Sequence, residues 1–132
     1  MNESLDEQSR RDLVAYRVGR AEETIKEAEV MLREHFYNAA INRLYYACYY
    51  ATVALLLKNK ITANTHAGVK TMLGLHFISK GIVPQKYGKM FQILFDSRHS
   101  GDYEDFVYCD KEMVDEYMPK VKEFVAFVKT LL

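Results

Sequence analysis

The sequence predicts an all-α protein of about five helices, and three observations carry that reading. Residues 37–57, YNAAINRLYYACYYATVALLL, contain no Gly or Pro and are almost wholly apolar or aromatic. Elsewhere apolar residues recur at helical spacing, as in Val14, Val18, Ala21, Ile25, Ala28 and Leu32. No segment sustains the strict alternation of a strand, and no internal repeat is present.

The apolar run at Val14–Leu32 sets helix 1 at about residues 8–34. Arg17, Arg20, Glu22, Glu23, Lys26 and Glu27 fill much of its remaining surface, with Glu22 and Lys26 in the favourable i,i+4 order. Residues 1–10 are polar and are expected to fray, with 1–7 disordered. A short turn at His35–Phe36 makes helices 1 and 2 antiparallel neighbours.

Helix 2 is the stretch around which the others should pack. It is about as long as a membrane span, which needs roughly 20 apolar residues. Asn42, Arg43 and the hydroxyls of Tyr37, Tyr45, Tyr46, Tyr49 and Tyr50 argue instead for the central helix of a bundle in water, because hydrocarbon satisfies none of them. The helix should end near Lys58-Asn59-Lys60, where cations complement the macrodipole.

Thr65 is the expected N-cap of helix 3, whose stripe is Val69, Met72, Leu73, His76 and Phe77. Lys80-Gly81 should stop it, with Pro84 confirming the break. Helix 4 carries Tyr87, Met90, Phe91, Leu94 and Phe95, and Gly101 argues against continuation past residue 100. Helix 5 should start after Asp110 and present Val114, Tyr117, Val121, Phe124, Val125, Val128 and Leu132. Pro119 falls inside it; an interior proline costs about 3 kcal/mol, so a kink or a restart is expected there.

Composition narrows the function classes. A chain of 132 residues fits one domain, 1–132, and 49% hydrophobic content supports a real core. Eighteen basic and eighteen acidic residues cancel, which argues against gripping nucleic acid by bulk charge but leaves room for a local basic cleft. Residues 1–12 lack the apolar core of a signal peptide, so the expected location is cytoplasmic, with no membrane association. Cys48 and Cys109 match no metal or redox spacing, and Cys48 reads as a buried, inert thiol. His35, His66, His76 and His99 never stand at i,i+4, so no helical metal pair exists, and neither a metal nor another cofactor is expected. Gly81 to Gly88-Lys89 fails as a phosphate loop: six residues separate the glycines, Met90 replaces the Ser/Thr, and no strand precedes it.

Two polar constellations remain. Arg98 continues the stripe of Phe91 and Leu94, so its charge needs a partner: Asp96 or Asp102 closing a helix end, or the phosphate of a ligand. Arg, Ser and His within three residues offer anion donors and a group that titrates near neutrality. Asn42 and Arg43 inside the apolar helix are either hydrogen-bonded glue or the lining of a cleft. The pairs Tyr45/Tyr49 and Tyr46/Tyr50 read as core or dimer interface, with stacking on RNA bases the rarer use. His66 is a helix-end polar residue or a further group facing the cleft.

Taken together, Asn42-Arg43-x-Tyr45-Tyr46-Ala47, His66-x-Gly68 at a helix start and Arg98-x-x-Gly101-Asp102-Tyr103 resemble the HEPN domain (higher eukaryotes and prokaryotes nucleotide-binding). The match is to the small stand-alone prokaryotic group with an Arg-x-x-Ala/Gly-Asp-Tyr motif, and it spans roughly residues 8–132. The resemblance implies an up-and-down helical bundle, like a nucleotidyltransferase substrate-binding subunit, usually homodimeric with a polar cleft at the two-fold axis. Many members are metal-independent ribonucleases, often the toxin half of a toxin–antitoxin pair whose antitoxin is a minimal nucleotidyltransferase. Active families carry an Arg and, a few residues later, a His. Arg98 matches the Arg, but Tyr103, Glu104 and Asp105 occupy the expected His positions, and His99 is adjacent instead.

The resulting expectation is a homodimer that binds RNA or nucleotide phosphate in a polar cleft, acting with a minimal nucleotidyltransferase in a toxin–antitoxin or defence-type system. Its cleft residues are Asn42, Arg43, Tyr46, His66, Arg98, Asp102 and Tyr103. The alternatives are a metal-independent ribonuclease toxin, with Arg98 and His99 as catalytic candidates, and a non-catalytic protein-interaction module. Dimerisation is expected also because a tyrosine-rich central helix and four amphipathic ones carry more apolar surface than one bundle of this size hides.

Overall fold

The computed structural model describes the backbone of residues 5–103 and 109–132, with side chains up to Ser97 and from Cys109 onward. Five α-helices account for the architecture among these residues: α1 (Glu7–Arg33), α2 (Tyr37–Lys58), α3 (His66–Leu73), α4 (Gln85–Tyr103) and α5 (Lys111–Lys129). No strand occurs among them. The Asp6 carboxylate caps α1 by accepting from the Ser9 N–H at 2.7 Å, so residues 7–10, expected to fray, are helical.

Both ends of the α1–α2 hairpin close with the same device. After α1, His35 adopts φ 65°, its N–H reaches Leu32 O at 3.0 Å, and the Phe36 N–H reaches Met31 O at 2.8 Å. After α2, Lys60 adopts φ 60°, its N–H reaches Leu57 O at 3.1 Å, and the Ile61 N–H reaches Leu56 O at 2.9 Å. These are Schellman closures, in which a left-handed residue turns two amides back onto the last carbonyls. Here each uses a residue with a Cβ where Gly is usual.

α2 is central, as its composition requires. It packs against α1, α3, α4 and α5. Ile41, Leu44, Tyr45, Cys48 and Leu55 have almost no exposed surface. Phe91 and Leu94 of α4, and Val114, Val121 and Phe124 of α5, complete the core around it. No helix among the described residues is long and apolar enough to cross a membrane.

Three expectations require correction. The α-helix of α3 stops at Leu73, and Gly74–Ile78 continues as one π-helical turn before Gly81 at φ 76° ends the segment. The wider turn keeps Val69, Leu73 and Phe77, each four residues apart, on the buried face. α4 runs through Gly101 to Tyr103 rather than ending by residue 100. α5 is one continuous helix across Pro119, with no restart. Pro119 and Asp115, whose carbonyl it leaves without a donor, both lie on the exposed face.

Candidate functional site

The α1–α2 hairpin sets the site's register. Glu27 of α1 meets Arg43 of α2, with Arg43 Nη1 donating to Glu27 Oε1 at 3.1 Å. Moving seven residues along each helix in opposite directions brings Arg20 over the Tyr50 ring, 5.2 Å from its centroid. Farther along, Arg10 Nη1 donates to Leu57 O at 2.8 Å. Because seven residues are nearly two turns, and the ten from Arg20 to Arg10 nearly three, each pair falls on the same seam.

At one end of that seam Arg43 is held from three sides. Its Nε and Nη2 donate to Asn42 Oδ1 at 3.2 and 2.8 Å, Nη1 engages Glu27, and the guanidinium lies 5.1 Å from the Tyr46 ring centroid. Asn42 and Arg43 are thus glue between α1 and α2, and both are only half-buried, so they line a surface as well. A guanidinium has five N–H donors. Among the described residues these contacts commit three of them, which leaves two that an anion could use.

Next to it stands an aromatic nest around His66. The Tyr45 hydroxyl and His66 Nδ1 share a hydrogen bond at 2.8 Å. The imidazole stacks on Tyr49 at 4.3 Å and 21° and meets Tyr46 edge-on at 5.6 Å. α3 presents His66 at its first position because Thr65 caps the helix, Oγ1 accepting the Gly68 N–H at 2.8 Å. A Cβ on Gly68 would approach Thr65 Oγ1 to 2.9 Å, so the small residue of the His66-x-Gly68 motif protects that cap. Phe91 and Phe95 of α4 reach Tyr45 with edge-on rings at 5.7 and 6.1 Å, which brings α4 to the same nest one turn before Arg98.

The electrostatics are set by burial and by α1 arginines. Burial pushes the Tyr49 phenol above its ordinary value, Arg17 opposes this, and the phenols of Tyr46 and Tyr50 add to it. The Tyr50 hydroxyl, then the Glu23 carboxylate, hold the Arg20 guanidinium above its usual value. Burial raises the Cys48 thiol far out of the reactive range, in keeping with an inert core thiol. Among the described residues no group of three or more His, Cys, Asp or Glu gathers as a metal site.

Of the residues expected to form the cleft, Asn42, Arg43, Tyr46 and His66 form one chain of contacts. Arg98, His99, Asp102 and Tyr103 have side chains outside the described residues. Arg17 and Arg20 were placed by the sequence off the apolar face of helix 1, yet both are half-buried, Arg20 over the Tyr50 ring and Arg17 close enough to Tyr49 to act on its phenol. The overlooked signal is a seven-residue repeat, Arg10, Arg17 and Thr24, on the face that also carries Ala21 and Ala28.

The chain resembles known proteins over most of its length. Residues 14–131 match the HEPN domain. A "UPF0332 protein" of Thermotoga maritima is 30% identical over 120 residues, covering 91% of each chain. Two proteins of Methanocaldococcus jannaschii are also similar. "Putative toxin MJ0605" is 30% identical over 115 residues, 80% of this chain and 86% of that one. "Putative toxin MJ0142" is 26% identical over 115 residues, 87% of this chain and 78% of that one. With a helical bundle built around the Asn42-Arg43 helix and a domain match over nearly its whole length, the chain belongs to the HEPN domain family.

Proposed function

We propose that the protein is a homodimeric HEPN module of a toxin–antitoxin or defence-type system, acting in the cytoplasm beside a minimal nucleotidyltransferase. In this reading a polar cleft holds the phosphate of RNA or of a nucleotide through Asn42, Arg43 and Arg98, with Asp102 orienting an arginine and Tyr46, His66 and Tyr103 flanking them. The observation that carries it is Arg43: a guanidinium held on three sides, with two N–H groups uncommitted among the described residues, beside an aromatic nest. Guanidinium with aromatic rings is the usual chemistry for unstacked nucleotides. The toxin names of two relatives support the setting.

The test is a thermal melt and a salt titration of RNA binding on Arg98→Ala and Asp102→Ala. Arg98→Ala should weaken binding and flatten its salt dependence while leaving Tm nearly unchanged. Asp102→Ala should lower Tm, because an acid is a poor phosphate ligand and a natural orienter of an arginine. Equal melting losses in both, with no RNA or nucleotide affinity in the parent, would leave only a protein-interaction module.

A ribonuclease is the second reading, favoured by His66. Its imidazole is fixed by Tyr45 and Tyr49 and touches the same Tyr46 ring that Arg43 covers. A histidine so placed suits acid–base chemistry at a phosphodiester, with an arginine bearing the developing charge. RNA cleavage that survives EDTA and is lost in His66→Ala would establish it over binding alone.

A further inference from the structure

α4 has a second face. Phe91 and Phe95 turn to Tyr45 of α2. Lys89 and Ile93, each two residues from Phe91, stand about 200° round the helix from it and are exposed. Between this face and α5 runs a groove of about 360 Å³. Buried Tyr87, Met90 and Tyr117 floor it, and Lys86, Lys89, Ile93, Lys120 and Glu123 rim it. Ile93 is 42% exposed, a large aliphatic side chain at the edge of an apolar floor.

The rim carries three cations and one carboxylate. That carboxylate is already engaged. Lys86 Nζ donates to Glu123 Oε2 at 3.1 Å, and Lys86, then the Tyr87 hydroxyl, holds Glu123 below its ordinary pKa. Burial, then the bond to Glu123, pushes the Tyr87 phenol up to about 12, so it stays a donor. Lys120 reaches Glu116 at 3.1 Å, but both side chains are about half exposed, so water screens that pair. Lys89 has no carboxylate partner among the described residues. An excess of positive charge around an apolar floor attracts an acidic partner and repels a second copy docked by the same patch.

The surface chemistry suits a protein rather than a nucleic acid. The rings of Tyr87 and Tyr117 are buried, with the Lys86 and Lys120 ammonium groups 5.2 and 5.1 Å from their centroids, so neither offers a face to a base. The groove offers instead the aliphatic Ile93 and the thioether of Met90 between lysines. Its volume is at the low end of ligand pockets, which run roughly 300–1,000 Å³, and fits a few side chains. A groove between two helices seats a third, whose apolar residues at i, i+3, i+4 and i+7 fill it while flanking acids meet the cations.

We propose that the α4–α5 groove docks an acidic amphipathic helix of a partner protein, on the side of α4 turned away from Tyr45. The groove shares no residue with the Asn42–Arg43 cleft, so the partner binds whether or not the cleft holds a phosphate.

The experiment titrates the full chain with a labelled helical peptide of about fifteen residues, Leu at i, i+3, i+4 and i+7 and Glu at the flanking positions. The same peptide with Lys for every Glu, an oligouridylate and phosphatidylglycerol vesicles are the comparison probes. The acidic peptide should bind, more weakly as salt rises, and should shift the amide resonances of residues 86–93 and 120–123. Lys89→Glu and Ile93→Gln should each weaken it about five- to tenfold at unchanged Tm. Lys89→Arg should bind as the parent does, and Lys89→Glu should bind the Lys peptide better than the parent does. If Ile93→Gln lowers Tm, the fully solvated Lys89→Glu change decides. No binding of the acidic peptide, equal binding of the Lys peptide, resonance shifts elsewhere, or affinity unchanged in both variants overturns the docking site. Displacement of the peptide by oligouridylate or by the vesicles also overturns it, and makes the groove a nucleic-acid or a membrane surface. A change in sedimentation of Lys89→Glu overturns it in favour of a contact between two copies.

Discussion

The Tyr45 phenol has no exposed surface, and its hydroxyl meets His66 Nδ1 at 2.8 Å. The ring fixes α2 to α4 through Phe91 and Phe95, while the hydroxyl fixes α2 to the first residue of α3. One side chain thus serves packing and site geometry together. Removing only the hydroxyl separates the two roles. Tyr45→Phe should lower stability by about 1 kcal/mol, the usual net worth of one hydrogen bond. In urea denaturation the midpoint should drop with an unchanged slope, and the His66 imidazole resonances should broaden or shift. An unchanged midpoint with unchanged imidazole resonances would contradict this role.

The pair Arg43–Glu27 looks like a cornerstone but should be weak in stability terms. Its side chains are 27% and 38% exposed, so water screens the attraction. A double-mutant cycle on Glu27→Gln and Arg43→Gln should give a coupling of about 0.3–1 kcal/mol. Its larger effect should be on ligand: Glu27→Gln leaves Arg43 less restrained and should alter phosphate affinity without moving Tm by much. A coupling of several kcal/mol would show that the pair is desolvated by a second copy or by the residues beyond α4.

Local chemistry was the legible part of this fold. Thr65 was identifiable as a cap, and a helix start after Asp110 was expected, because an N-cap depends only on a side-chain oxygen and amides two or three residues ahead; in the structure Asp110 accepts from the Met113 N–H at 3.0 Å. The central position of α2 followed from its lack of a polar face. Arg17 and Arg20 were misread because a charged residue on an amphipathic helix is assigned to water by default, whereas a long side chain can bury its stem and keep only its tip at a seam. The π-helical turn at Gly74–Ile78 left no mark either: Val69, Leu73 and Phe77 at steps of four fit both an α-helix and a slightly wider one. Gly101 suggested a stop, but one glycine costs only about 1 kcal/mol inside a helix and does not end one by itself.

Lys60 offers a test of the α2 closure. Its φ of 60° crowds the Cβ against the backbone, while its amide and that of Ile61 serve the last carbonyls of α2. Lys60→Gly relieves the crowding and leaves both amides in place. The ion pair lost with Glu7, at 3.4 Å between side chains more than 60% exposed, is worth little. Stability should rise by about 0.5–1 kcal/mol. Lys60→Ala should give no such gain, and a gain in Ala equal to that in Gly would point to charge rather than conformation.

Pro119 sits well inside α5, eight residues after its first residue Lys111 and ten before its last, Lys129. It lacks the N–H that would serve Asp115 O, and its ring presses on that carbonyl. α5 nevertheless continues, because Tyr117 and Met118 before it and Val121, Phe124 and Val125 after it are all buried in the same core. Tertiary packing therefore offsets the broken ladder. Pro119 is exposed, so replacing it removes no core contact. Pro119→Ala should restore the hydrogen bond and stabilise the protein by about 2 kcal/mol, less than the full interior penalty of about 3 kcal/mol because Ala also frees the unfolded chain. Urea denaturation reads the midpoint, and amide exchange at residues 115–123 should slow in the variant. Slower exchange with an unchanged midpoint would mean that α5 opens locally around the proline without limiting the whole fold. A lower midpoint would show that the helix geometry set by Pro119 is one the bundle requires.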